Sequence, residues 1–196
     1  MQNPEQLLRP ARKADAAALA VLVDIAGEGL PTYMWSGMRA PGQSVMEVGR
    51  ARAAREEGAF SYRKAQVIEV DGDVAAMLID YRLDDPYDLG DLNRVPDVVR
   101  PLNILESKAP GTWYVNVLSA FPEYRGQGIG ARLLVLAEER GRAHGASSAS
   151  IIVASENMGA ARLYARTGYR EIAREPVVDF PGAAHSGDWV LMVKPI

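Results

Sequence analysis

Arg125 stands at the head of three alternating glycines, Gly126, Gly128 and Gly130, within the run Pro-Glu-Tyr-Arg-Gly-Gln-Gly-Ile-Gly over residues 122–130. Those residue types at that spacing suit an anion. Glycine lets backbone approach a ligand closely and adopts positive φ without a Cβ clash. Arginine adds a permanent charge with forked donors. A helix that starts inside the turn contributes amide N–H groups without intrahelical partners, and the positive end of its macrodipole. A phosphate or pyrophosphate lying on residues 125–131 is the ligand this arrangement predicts.

The flanking segments read as the elements such a turn needs. Residues 113–118, Trp-Tyr-Val-Asn-Val-Leu, have the composition of a buried strand. Pro122 cannot donate to a sheet ladder, so the strand ends near Phe121. From Ile129 the apolar period turns helical. Ile129, Leu133, Leu136 and Ala137 share one face; Arg132, Glu138, Glu139, Arg140 and Arg142 fall mostly on the other, and Gly141 and Gly145 bracket the exit.

Other readings of the glycines are weaker. Gly126-x-Gly128-x-x-Ala131 also fits a dinucleotide fingerprint, with Glu156 as a ribose-binding acid. That motif begins two-thirds of the way along the chain, too late for a domain of several βαβ units, and Glu156 lies beyond the usual spacing of about 20 residues. A P-loop is excluded, because the lysine and Ser/Thr that should follow the last glycine are missing. A tight turn with no ligand is the plainest alternative, and three glycines beside an arginine argue against it.

Composition narrows the chemistry further. The chain has 196 residues, a hydrophobic content of 48%, a charged content of 24% and a net charge of −3, ordinary for one soluble domain. The acidic balance argues against nonspecific nucleic-acid binding. There is no cysteine, which removes disulfides, thiolate zinc sites and a thiol nucleophile. Only His144 and His185 exist, so no metal site is expected. His185 should be exposed, and His144 should act as a cation at a helix C-terminus. Residues 1–13 lack a signal-like apolar core, and residues 16–23 are too short to span a bilayer. The expectation is a cytoplasmic protein without membrane or nucleic-acid partners.

Elsewhere the chain mixes short strands and helices. Residues 7–12 read as a first strand, and Asp15 as the N-cap of a helix burying Ala18, Leu19, Leu22 and Val23. Gly27, Gly29 and Pro31 end it, leaving Tyr33, Met34, Trp35 and Met38 in a loop; Tyr33, Trp35 and Tyr62 are expected in the core. Ser44 with Glu47 forms a capping box for a second helix to about Glu57, in which Gly49 costs about 1 kcal/mol. Residues 66–70 and 74–81 form a hairpin about Asp71-Gly72. Residues 82–110 interrupt the pattern with five aspartates, Asp84, Asp85, Asp88, Asp91 and Asp97, expected to be solvated, and a short helix over 101–108. A strand over 150–154, a helix capped by Glu156-Asn157 and stopped by Gly168, and strands over 169–173 and 188–194 complete the order.

Two linked segments resemble the GCN5-related N-acetyltransferases. The 122–130 run resembles that family's acyl-CoA motif, and Asn157-x-x-Ala160-x-x-Leu163-Tyr164-x-x-x-Gly168-Tyr169 resembles its downstream helix and turn. Together they span about residues 113–173. The resemblance implies an α+β fold with a central mixed, mostly antiparallel twisted sheet flanked by helices on both faces, as one domain over 1–196. Acceptor-side elements would lie at 27–63 and 82–110. It also implies an enzyme that transfers acetyl directly from acetyl-CoA to an amine acceptor. Val117, Leu118, Ser119 and Ala120 would line the pantetheine arm, with an amide near Leu118 as oxyanion donor. Arg125, Gly126, Gln127, Gly128, Ile129, Gly130 and Ala131 would hold the pyrophosphate, Asn157 would contact the cofactor, and Tyr164 would protonate the leaving thiolate. Some relatives carry a glutamate on the central strand where Asn116 stands here. The general base is thus unassigned, with Glu28, Glu106 and the loop aspartates as candidates. That gap sustains a second reading, a non-catalytic acyl-CoA-binding module. A terminal strand over 188–194 would pair across a homodimer if exposed.

Overall fold

The computed structural model describes residues 6–184 and 186–196, so the expectation for His185 lies outside the described residues. Among the described residues the elements are β1 Gln6–Pro10, α1 Ala16–Ala26, α2 Leu30–Ser36, α3 Val45–Ala53, β2 Ala65–Val70, β3 Asp73–Arg82, α4 Arg100–Ser107, β4 Trp113–Ala120, α5 Ile129–Ala143, β5 Ser148–Ala154, α6 Met158–Arg166, β6 Arg170–Pro176 and β7 Asp188–Pro195. The strands form a sheet in the order β1-β2-β3-β4-β5-β7-β6. Pairs β1–β2, β2–β3, β5–β7 and β6–β7 are antiparallel, and β4–β5 is parallel. This is the mixed, mostly antiparallel α+β architecture the sequence led us to expect. Among the described residues, no helix is long and apolar enough to cross a membrane.

Backbone contacts divide the chain into two units, one comprising the residues up to Ile79 with Val117–Leu133, the other Asp80–Asn116 with Leu134–Ile196. In the first, β2 and β3 are joined by Asp71 and Gly72 at φ 51° and 93°, the left-handed pair a two-residue hairpin turn requires. Val67, Ile68 and residues 75–79 are fully buried. Helix α1 buries Ala16, Leu19, Ala20, Leu22 and Val23. The capping box opens α3 as expected: Glu47 N–H donates to Ser44 Oγ, and Ser44 N–H donates to the Glu47 carboxylate at 2.7 Å.

Four local expectations in this unit are corrected. Pro31 does not leave a loop behind it; it sits in the first turn of α2, where its missing N–H costs nothing, and Trp35 is buried on that helix. Helix α3 stops at Ala53 rather than near Glu57. Asp15 occupies the N-cap position of α1, but its carboxylate accepts from Arg12 N–H and pairs with Arg9 instead of capping the helix. Ala18 is only partly buried, its place on the inner face taken by Ala16 and Ala20. Gly49 has a reason beyond propensity: a Cβ there would stand 2.5 Å from the Trp35 ring.

In the second unit, β4 pairs with β5 over Trp113–Val115 and Ala149–Ile151, and β4 then continues to Ala120. Helix α5 ends at Ala143, between Gly141 and Gly145 as expected; a Cβ at Gly141 would meet Trp113 Cβ at 2.9 Å, so that glycine also lets helix and strand approach. Glu138, placed on the polar face by periodicity, is buried and accepts from Lys194 Nζ at 2.7 Å. His144 lies beyond the last helical residue, where its ring stacks on Trp113 with centroids 4.8 Å apart. The five aspartates of the 82–97 stretch are exposed, as expected. Strand β7 is paired on both sides, by β5 and β6, so the 188–194 segment offers no free edge for a partner. The edges of the sheet are β1 and β6.

Candidate active site

The end of the strand singled out by the sequence, Val117–Ala120, and the glycine turn lie in the first unit, while Trp113–Asn116 belong to the second. Val117 and Ser119 are buried, Leu118 and Ala120 partly exposed, as alternation along a strand requires. The Ser119 hydroxyl is committed to structure, donating to the Leu22 carbonyl at 2.7 Å. Phe121 N–H donates to Ala75 O at 3.0 Å and closes the strand, and Pro122 opens a short 3-10 turn. Gly126 and Gly128 then take φ of 76° and 79°, and a Cβ on either would meet nothing within 4 Å. These glycines therefore serve backbone conformation and leave open space before the turn. Gly130 is already in α5 and has no such φ.

Side chains brace the turn. Arg125 Nε donates to Ala120 O at 3.2 Å, while the residue remains exposed. Gln127 Nε2 donates to Glu123 O at 3.2 Å. Ile129 is buried and anchors the first turn of α5, with Gly130 and Ala131 half-buried behind it. Arg132 N–H donates to Gly128 O at 3.1 Å, so the amides of residues before it are the ones a helix start leaves without intrahelical acceptors. A 15-residue helix thus begins where the sequence placed an anion.

Asn157 and Tyr164 belong to the second unit. Asn157 is the N-cap of α6, its side-chain oxygen accepting from Ala160 N–H at 3.1 Å. Tyr164, about two helical turns further on, is 4% exposed, its ring centroid 6.2 Å from that of Tyr169. Gly168, at φ 100°, stops the helix as expected.

Sequence reasoning named Glu106 among the candidate bases but missed the cluster of acids and phenols to which it belongs in this unit. The side chain of Asp80, on β3, has no exposure, and accepts from Trp113 Nε1 at 2.7 Å and from Arg140 Nε at 3.1 Å. Burial still pushes its carboxyl above the usual carboxylate range, against the Trp113 hydrogen bond and the Arg140 charge. Around α4, Tyr87 Oη donates to Glu106 at 2.8 Å, and Tyr114 lies beside that carboxylate. Tyr81 meets Tyr114 edge to face at 5.7 Å, and accepts from Asn116 Nδ2 at 3.2 Å. Burial raises the Glu106 carboxyl and all three phenols. No local pattern announced this group, since its members come from four separate segments.

The model of the acetyltransferase (GNAT) family matches residues 42–169, about two-thirds of the chain. The chain belongs to the GNAT acetyltransferase family. Acyl transfer by an N-acetyltransferase is therefore its chemistry, and the glycine turn and α6 both fall inside the matched span. Solved GNAT-type folds agree with this one over nearly their whole length. An N-acetyltransferase from Staphylococcus aureus Mu50 is 20% identical, with 95% of this chain and 99% of that chain covered at a TM-score of 0.63. The polyamine N-acetyltransferase of Drosophila melanogaster, which catalyses formation of N-acetylagmatine, is 17% identical, with 98% and 100% covered at 0.68. A mosquito arylalkylamine N-acetyltransferase-like protein is 16% identical, with 98% and 100% covered, also at 0.68. At these identities the likeness is one of fold. No curated protein matches the chain.

Proposed function

We propose that this protein transfers an acetyl group from acetyl-CoA directly to a primary amine of a small molecule or peptide, as one domain over residues 1–196. The observation that carries the reading is the turn at Gly126 and Gly128, whose positive-φ backbone and open surroundings lead into the N-terminus of α5. Those residues fit an acyl-CoA diphosphate: amides of the turn would donate to it and exposed Arg125 would add charge. Leu118 N–H is the proposed oxyanion donor, on a strand whose ladder to β5 covers only Trp113–Val115. Tyr164 is the proposed proton donor to the departing thiolate, and Asn157 a cofactor contact. With no cysteine in the chain, a cysteinyl intermediate has no nucleophile, and direct transfer needs none.

Calorimetric titration with acetyl-CoA, desulfo-CoA and NADH tests this reading. The expected result is micromolar acetyl-CoA binding without an NADH response, followed by thiol release when amines are added. A folded sample that binds no CoA would remove the reading.

A further inference from the structure

Three carboxylates of the second unit are held wholly or largely out of water. Asp80 is answered by Arg140 and Glu138 by Lys194. Glu106, on α4, is answered by phenols alone: among the described residues no lysine, arginine or histidine lies within ion-pairing distance of it. A carboxylate withdrawn from water without a cation is costly, and folded proteins pair such charges. The faces of aromatic rings attract the same partner, an ammonium. Tyr87 donates to Glu106, Tyr81 and Tyr114 lie beside it as an edge-to-face pair, and Glu106 itself keeps partial exposure. Asn116, which bonds Tyr81, immediately precedes Val117, the first strand residue proposed for the pantetheine arm.

We propose that Glu106, with Tyr81, Tyr87 and Tyr114, receives the ammonium group of a small organic amine and takes its proton as the general base of transfer. The inference rests on the transferase reading above and names the acceptor class for it. Burial makes Glu106 a stronger base than an exposed glutamate. On neighbouring elements, Glu175 of β6 holds Lys108, Glu171 and Asp188 hold Arg174, and Lys194 of β7 holds Glu138, while Arg170 of β6 is exposed. Asp84, near Tyr87, is exposed. Glu106 accepts one ammonium proton, and the freed nitrogen lone pair forms the C–N bond at the thioester carbonyl carbon. As the C–S bond breaks, Tyr164 gives its proton to the thiolate and recovers one from the nitrogen, while Glu106 returns its own to solvent. Two protons leave the nitrogen, one to solvent and one to the thiol.

Agmatine, spermidine, 2-phenylethylamine and tyramine, assayed by thiol release, supply the probe, and the fastest is taken forward. Glu106→Gln keeps an acceptor for Tyr87 and is expected to lower kcat/KM about 100-fold or more near pH 7.5. Its acetyl-CoA affinity should stay within about twofold, and at least about tenfold should be regained by pH 9.5, where more amine is already neutral. Tyr87→Phe removes a hydrogen bond that favours the carboxylate, so the acid limb of its pH profile should move to higher pH. A Glu106→Gln loss under about threefold, or one not regained at high pH, overturns the assignment. Wild-type protein that binds acetyl-CoA but acetylates none of the four amines overturns the acceptor class and leaves the transferase reading standing. Wild-type protein that binds no acetyl-CoA removes both.

Discussion

Asp80 and Glu106 are both carboxylates held away from water in one unit, and they differ in what answers their charge. Asp80 has an arginine and an indole N–H on it, and Trp113 is itself stacked by His144 and faced by Arg140 at 5.9 Å. Both Asp80 carboxylate oxygens accept hydrogen bonds. Glu106 has one phenol donating to it, a second beside it and, among the described residues, no cation. A paired buried acid holds strand to helix; an unpaired one stores a cost that a cationic ligand or a proton relieves. The comparison teaches that burial alone does not mark a working acid. What marks it is an electrostatic partner missing from the fold.

The sharpest way to break this contrast is to neutralise each acid. Glu106→Gln should cost at least about 100-fold in kcat/KM while the folded state holds. Asp80→Asn should do the reverse. Its new amide would face Arg140 or Trp113, donor against donor, costing about 2–3 kcal/mol and lowering Tm by about 5–10 °C. The kcat of the folded fraction should stay within about twofold. Equal losses of activity in both variants, measured beside thermal melts, would dissolve the distinction.

Tyr164→Phe probes the other end of the proton path. Turnover should fall at least about tenfold with acetyl-CoA affinity unchanged, and an unchanged rate would return Tyr164 to a packing role beside Tyr169. Arg125→Ala should weaken acetyl-CoA binding about five- to tenfold at low salt. The gap from wild type should narrow as salt screens the diphosphate contact; a salt-independent gap would mean that Arg125 acts by bracing Ala120 O.

The smallest effect is a pH dependence of stability. Burial raises the Glu106 carboxyl, so the native state holds that proton more tightly than the unfolded chain. Stability is therefore fuller below the unfolded value of about 4.3 and is lost as pH rises through the native value. Glu106→Gln lacks this loss, and its Tm advantage over wild type should grow across that window and then level off. A constant difference from pH 4 to 8 would argue that the carboxylate carries no burial penalty.

How much of this was legible in the sequence follows from how local each feature is. The turn at Gly126 and Gly128, the hairpin at Asp71-Gly72, the Ser44–Glu47 box and the Asn157 cap are written in residues a few positions apart, and all four formed. Pro31 misled because one residue type both ends and begins helices, and only the packing of Trp35 on Gly49 shows which. Periodicity misplaced Glu138 because a helix wheel does not include Lys194, 56 residues away.

By itself, then, the chain determined the strand–turn–helix that presents backbone amides, since glycine φ, proline's missing N–H and helix period act over a few residues. It also determined which chemistries are absent from its side chains, cysteine nucleophiles first among them. Only the tertiary structure decided that β7 is enclosed between β5 and β6, that Asp80 meets Arg140, and that Tyr81, Tyr87, Glu106 and Tyr114 converge. Those outcomes depend on contacts between residues tens of positions apart. Sheet order and burial bring such residues together, and no local pattern encodes the charge a neighbour will or will not supply.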